Sequence, residues 1–234
     1  PRKCPADRLV GGLNEKKALR KPPKFGSYEA DGDAFDAVIL MSPTGASDAA
    51  GAVPLRQTLE AAIMDLADDV AYATHDLEDF YKERLIDFAA VKRDFEAVEQ
   101  SREAWTKEDW TDNEPNYFLR IAKDLEETYE GYFDRREYAD AISYVDTLIF
   151  KTYPLSFEFD GSTNVSARVG ELVSTLMKDV FSSIETVKEP KWKNGPSVVL
   201  KEQAWHRIQV LKTITRRYVV GTRRMGIVER SQTF

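Results

Sequence analysis

Between Arg56 and Lys82 the chain has no Lys or Arg but seven acidic residues, and the centre of that stretch reads ADDVAYATHDLED. Apolar residues recur there at helical spacing, with Leu59, Ile63, Leu66, Val70, Ala73 and Leu77 forming one seam. At about 100° per residue, Asp68, Tyr72 and Asp76 fall at i, i+4 and i+8 and make a slanted row on the opposite side. Asp65, Asp69 and Asp79 share that polar face. Carboxylates three and four residues apart repel by about 0.2–0.5 kcal/mol per pair, and no helix neighbour offsets them. Something outside the helix must: a metal ion, a basic surface from elsewhere in the fold, or water. The formal net charge is −7, so this one segment accounts for all of it.

The periodicity elsewhere predicts a mostly α, all-α-class chain. Residues 1–53 read as an irregular N-terminal segment rich in Pro and Gly, with one short helix near residues 31–41. Residues 54–234 read as a helical part. The acidic helix is expected from about Pro54 to Tyr81, with proline at its start and Lys82 to Arg84 suiting its C-terminal dipole. Further helices are expected over Phe88 to Glu99, from Asp112–Pro115 through Tyr129 with Gly131 near its end, over Glu137 to Lys151, over 164–182, and over 201–220. SFEFDGS alternates and ends in Asp-Gly, which predicts a short strand entering a turn, and ETVKEPKWKNGPSVV predicts a small hairpin.

Composition bounds the class. With 234 residues and 42% apolar content the chain can bury one sizeable core or two small ones. No apolar run approaches the ~18 residues of a membrane span, and PRKCPADRLVGGLNEKK has no signal-peptide core, so no membrane partner and a cytoplasmic setting are expected. Cys4 is the single cysteine, which excludes an internal disulfide and fits a reducing compartment. Acidity argues against nucleic-acid binding by the whole surface. The basic end, with Arg216, Arg217, Arg223, Arg224 and Arg230, is open to nucleotide, nucleic acid or a neighbouring subunit's acidic helix; a solvated helix end is the plainer reading. Trp105 and Trp110 are core residues or interface anchors, and His206 reads as an ordinary helix-surface or interface histidine.

Solvation is also the plain reading of a charged helix face. Here the charge is one-signed, without the Glu-to-Lys pairing usual on exposed helices, and a tyrosine stands within the row. Carboxylates on a rigid helix can ligate a metal or accept hydrogen bonds from sugar hydroxyls, and a phenol can stack on a sugar.

LEAAIMDLADDVAYATHDLED resembles the signature helix of the HD-domain deoxynucleoside triphosphate triphosphohydrolases, the dGTPase family. KFGSYEADGDAF and VLKTITRRYVV resemble its flanking segments, in the expected order over residues 24–220. The resemblance implies an HD-type helical fold, a dNTP substrate with dGTP as candidate, and a homo-oligomer. It implies a divalent metal (Mg²⁺, Mn²⁺ or another transition metal) bound by a first His, a consecutive His-Asp pair and a late Asp. The late Asp falls on Asp68, the sugar-packing tyrosine on Tyr72 and the acceptor of the sugar 3′-hydroxyl on Asp76. Lys24 is a weaker candidate for the triphosphate.

The chain departs from the family where members carry Gln at Ala62 and Trp at Leu66. More importantly, it has only His75 and His206, and neither supplies the metal-binding His or His-Asp pair. His75 precedes Asp76 within the late motif instead. The chain therefore reads as the C-terminal part of such an enzyme, its other ligands expected upstream of Pro1. Alone it is expected to be inactive. Two alternatives stand beside this reading: a non-catalytic helical interaction or regulatory module, and another HD-type phosphohydrolase.

Overall fold

A computed structural model describes residue 34 and residues 59–106, 116–153, 155, 158–189, 191–192 and 195–220. The chain divides into two compact units, Pro1–Ala61 and Ala62–Phe234, and the fold below is essentially that of the second. Pro54, Trp110, the C-terminal arginines from Arg223 on, and all of the expected 31–41 helix except Ala34 lie outside the described residues.

The structure is predominantly helical. In chain order come α1 (Leu59–Lys82), α2 (Phe88–Gln100), a single turn α3 (Arg102–Trp105), α4 (Tyr117–Thr128), α5 (Arg135–Asp146), α6 (Thr163–Ser183), strands β1 (Ile184–Thr186) and β2 (Val198–Leu200), and α7 (Glu202–Thr215). Helix α5 runs on into a π-helical segment, Thr147–Thr152, and α7 into another, Arg216–Val220. The two strands pair antiparallel with Ile184 opposite Leu200, as the hairpin reading expected. No helix among the described residues is long and apolar enough to cross a membrane.

Local chemistry sets the helix ends. Asp87, Asn116, Asp134 and Ser162 each place a side-chain oxygen on a free N–H of the first turn that follows, satisfying donors that have no intrahelical partner. Helix α1 stops in a Schellman turn. There Leu85 N–H bonds Phe80 O at 2.8 Å and Arg84 N–H bonds Tyr81 O at 3.0 Å. Arg84 takes φ +56°, a position that favours glycine, while its Nε donates to Phe159 O at 2.9 Å.

Two expectations about elements are corrected. The third helix begins at Tyr117 behind an Asn116 cap, rather than at 112–115, and Gly131 follows its end in a left-handed turn at φ +78°. Residues 158–162 are not a strand. Asp160 Oδ1 accepts from Ser162 N–H, Gly161 sits at φ +77°, and Ser162 then caps α6, so the Asp-Gly turn opens a helix.

The core is continuous from α1 to α7. Helices α5 and α7 make the most extensive contact. Val169, Leu172, Leu176 and Val180 of α6 and Trp205, Ile208, Leu211 and Ile214 of α7 are buried, as their spacing predicts. Trp105 is a core residue, its Nε1 donating to Val98 O at 3.3 Å.

The apolar seam of α1 is only partly right. Val70, Ala73 and Leu77 are buried, Leu66 is half-buried, and Leu59 and Ile63 are exposed. Leu59 and Ile63 lie on the same helical face as the buried set. Burial is a tertiary fact that periodicity does not carry.

His206 also departs from expectation, being fully buried rather than on the surface. Its Nδ1 lies 2.7 Å from Glu202 O, and its Nε2 accepts from Asp134 N–H at 3.1 Å. Both ring nitrogens are thus committed to backbone groups, which ties the first turn of α7 to the cap of α5. Burial pushes the imidazole below its ordinary pKa, against the opposing pull of Glu202 O and the Asp134 charge.

Candidate functional site on the polar face of α1

Helix α1 is held from both edges of its buried face. Thr74, whose hydroxyl donates to Val70 O, faces Met177 of α6, and Asp69 meets Lys212 of α7 across 2.8 Å. Tyr81 packs edge-on against Phe88 and Phe159 at its C-terminal end. Asp68 is exposed, Tyr72 is 54% exposed and Asp76 is half-buried. Successive members of the row are about 6 Å apart along the axis.

The members of the row differ in surroundings. Asp68 makes no side-chain hydrogen bond or ion pair among the described residues. Burial, reinforced by the negative charge of Asp79, raises the Asp76 carboxyl above its ordinary range, and His75 pulls the other way. Helix neighbours offset part of the remaining acidity, since Lys82 pairs with Glu78 at 2.6 Å.

The sequence reading missed Lys212. It sits in VLKTIT, inside a segment singled out by resemblance but given no role, and the fold carries its ammonium to the residue beside Asp68. A cation from elsewhere in the fold, Lys212, thus stands at the edge of the acidic face. Tyr129 borders the same spot. Its phenol is held above its usual pKa by burial and then by the charge of Asp69. Lys24 lies outside the described residues.

The carboxylates do not assemble a metal cage. No group of three or more His, Cys, Asp or Glu side chains able to hold a metal ion occurs among the described residues. One carboxylate, such as Asp68, does not hold a catalytic metal alone. The described donor set therefore does not fit a complete metal centre.

No family model matches the chain. A relative named as a deoxyguanosinetriphosphate triphosphohydrolase-like protein, from Shewanella sediminis (strain HAW-EB3), is 27% identical over 125 residues, which cover 48% of this chain. The match spans 28% of that relative's own length. This similarity supports a distant relation to the dGTPase-like proteins.

Proposed function

We propose that the polar face of α1 is one wall of a nucleotide phosphohydrolase site, and that the reaction is hydrolysis of a dNTP to deoxynucleoside and triphosphate. The observation that carries the reading is the row itself. A metal-ligand type, an aromatic platform and a hydrogen-bond acceptor stand one turn apart on a helix fixed from behind by Val70, Ala73 and Leu77. Asp68 would be one ligand of a divalent metal, completed by ligands from outside the described residues. Such a metal would supply a water activated at neutral pH.

The chain's own residues take the substrate's sugar end. Tyr72 offers its exposed ring to the deoxyribose, and Asp76 accepts from the 3′-hydroxyl while its carboxylate is ionised. Lys212, drawn to the row by Asp69, is the cation nearest to hand for the negative charge of a triphosphate. The distant dGTPase-like relative supports the substrate class.

Product analysis of the complete gene product tests this reading. With a dNTP and Mg²⁺ or Mn²⁺, the complete protein is expected to release inorganic triphosphate and deoxynucleoside. Pyrophosphate or monophosphate as the product contradicts the proposal.

A further inference from the structure

Tyr117, the first residue of α4, carries two cations on its ring. The guanidinium carbon of Arg120 lies 5.5 Å from the ring centroid, and that of Arg217, from the segment after α7, lies 4.9 Å away. Both arginines are exposed, as is the adjacent Arg216. None of the three has an ion-pair partner among the described residues. Arg102, Arg135 and Arg207, by contrast, are closed on Asp140, Glu126 and Asp179.

Two like charges gathered on one ring repel each other, and the attraction of each exposed cation to the ring is weak. What holds them together is a pair of side-chain hydrogen bonds to Asp94. Asp94 of α2 accepts the hydroxyl of Tyr218 on its carboxylate, and its main-chain oxygen accepts Asn116 Nδ2 at 3.1 Å. Tyr218 follows Arg217, and Asn116 is the cap preceding Tyr117. A single α2 residue therefore fixes both elements that bring the arginines to the ring. A stacked guanidinium keeps its N–H edge free for a tetrahedral oxyanion.

We propose that Arg120, Tyr117 and Arg217 form an anion site for the phosphate groups of a small polyphosphate ligand. The arginines supply charge-assisted donors, and both guanidinium carbons lie within 5.5 Å of the Tyr117 ring centroid. Arg216 adds charge at the rim. The inference stands apart from the reading of the α1 row, because it involves none of that row's residues.

Inorganic triphosphate is the probe. It is titrated calorimetrically into the 234-residue chain in the presence of EDTA, which removes any contribution from metal held at Asp68. Binding is expected, weakened roughly tenfold or more by Arg120→Ala or Arg217→Ala through the loss of a charge-assisted contact. Tyr117→Phe, which keeps the ring, Lys212→Ala, which removes the cation nearest the α1 row, and Arg93→Ala at an exposed arginine of α2 are expected to leave the Arg120- and Arg217-dependent binding in place. Far-UV circular dichroism checks that each variant is folded. The proposal is overturned by no binding, by equal weakening in Arg93→Ala, or by a single-stranded oligonucleotide binding where inorganic triphosphate does not.

Discussion

Lys212 of α7 closes a 2.8 Å ion pair on Asp69 of α1, the residue beside Asp68. The side chains of this pair are 33% and 48% exposed, so the pair contributes about 0–1 kcal/mol to stability. Its consequence is placement. A positive charge stands at the edge of an otherwise one-signed face, on a helix whose other flank rests on α6.

Lys212→Ala therefore separates stability from function. Urea denaturation of the variant is expected to show a loss of about 1 kcal/mol or less. In the complete protein the dNTP KM is expected to rise, with Lys212→Arg retaining more of the parent value than Lys212→Ala. An unchanged KM removes Lys212 from the substrate side of the site.

The cap of α5 is a structural feature with a measurable contribution. Asp134 Oδ1 accepts from Arg136 N–H at 2.8 Å and from Glu137 N–H at 2.9 Å. Asp134→Ala is expected to cost about 1 kcal/mol in denaturation free energy, and Asp134→Ser or Asp134→Asn much less.

His206 makes stability depend on pH in a defined direction. Its folded-state pKa is lowered, so the neutral ring is favoured by folding. The resulting stabilisation is fully present above the unfolded value of about 6.5 and is lost as pH falls through the folded pKa. The proton would arrive at Nε2, where the ring accepts from Asp134 N–H, and would set two N–H groups against each other. The carboxylates of Glu202, Asp134 and Glu137 also lie in this region, so the comparison is between parent and His206→Gln. Below pH 6.5 the parent is expected to lose stability more steeply; parallel curves contradict the assignment.

Asp79 tunes Asp76. Burial is the larger cause of the raised Asp76 pKa and the Asp79 charge the second, so removing that charge lowers the Asp76 pKa. In an NMR titration of the side-chain carboxyl carbons, Asp79→Asn is expected to move the Asp76 midpoint to lower pH. If Asp76 acts as an ionised acceptor, the acid limb of activity moves the same way. A fixed midpoint would remove the electrostatic link.

Much of this architecture is legible in the amino-acid order. Helices α2, α6 and α7 follow from apolar spacing, and the hairpin from turn residues between two short β-branched runs. In α1 the acidic row on the solvent side is legible because opposition of polar and apolar faces is a property of one helix. Leu59 and Ile63 mislead because they satisfy the same period and are nonetheless exposed. His206 and Lys212 are invisible locally, since burial against Asp134 and pairing with Asp69 depend on which elements the fold brings together. The Asp-Gly of SFEFDGS gives a true turn but the wrong continuation, because Ser162 two residues on is a helix cap.

The central claim is that Asp68 is a metal ligand and not one more solvated carboxylate. Metal content and initial rate, measured together on the complete protein and its Asp68→Ala variant, test it most directly. The account predicts loss of bound divalent metal and of nearly all triphosphate release, with the fold intact by circular dichroism. An Asp68→Ala protein with its metal and its rate unchanged would contradict it.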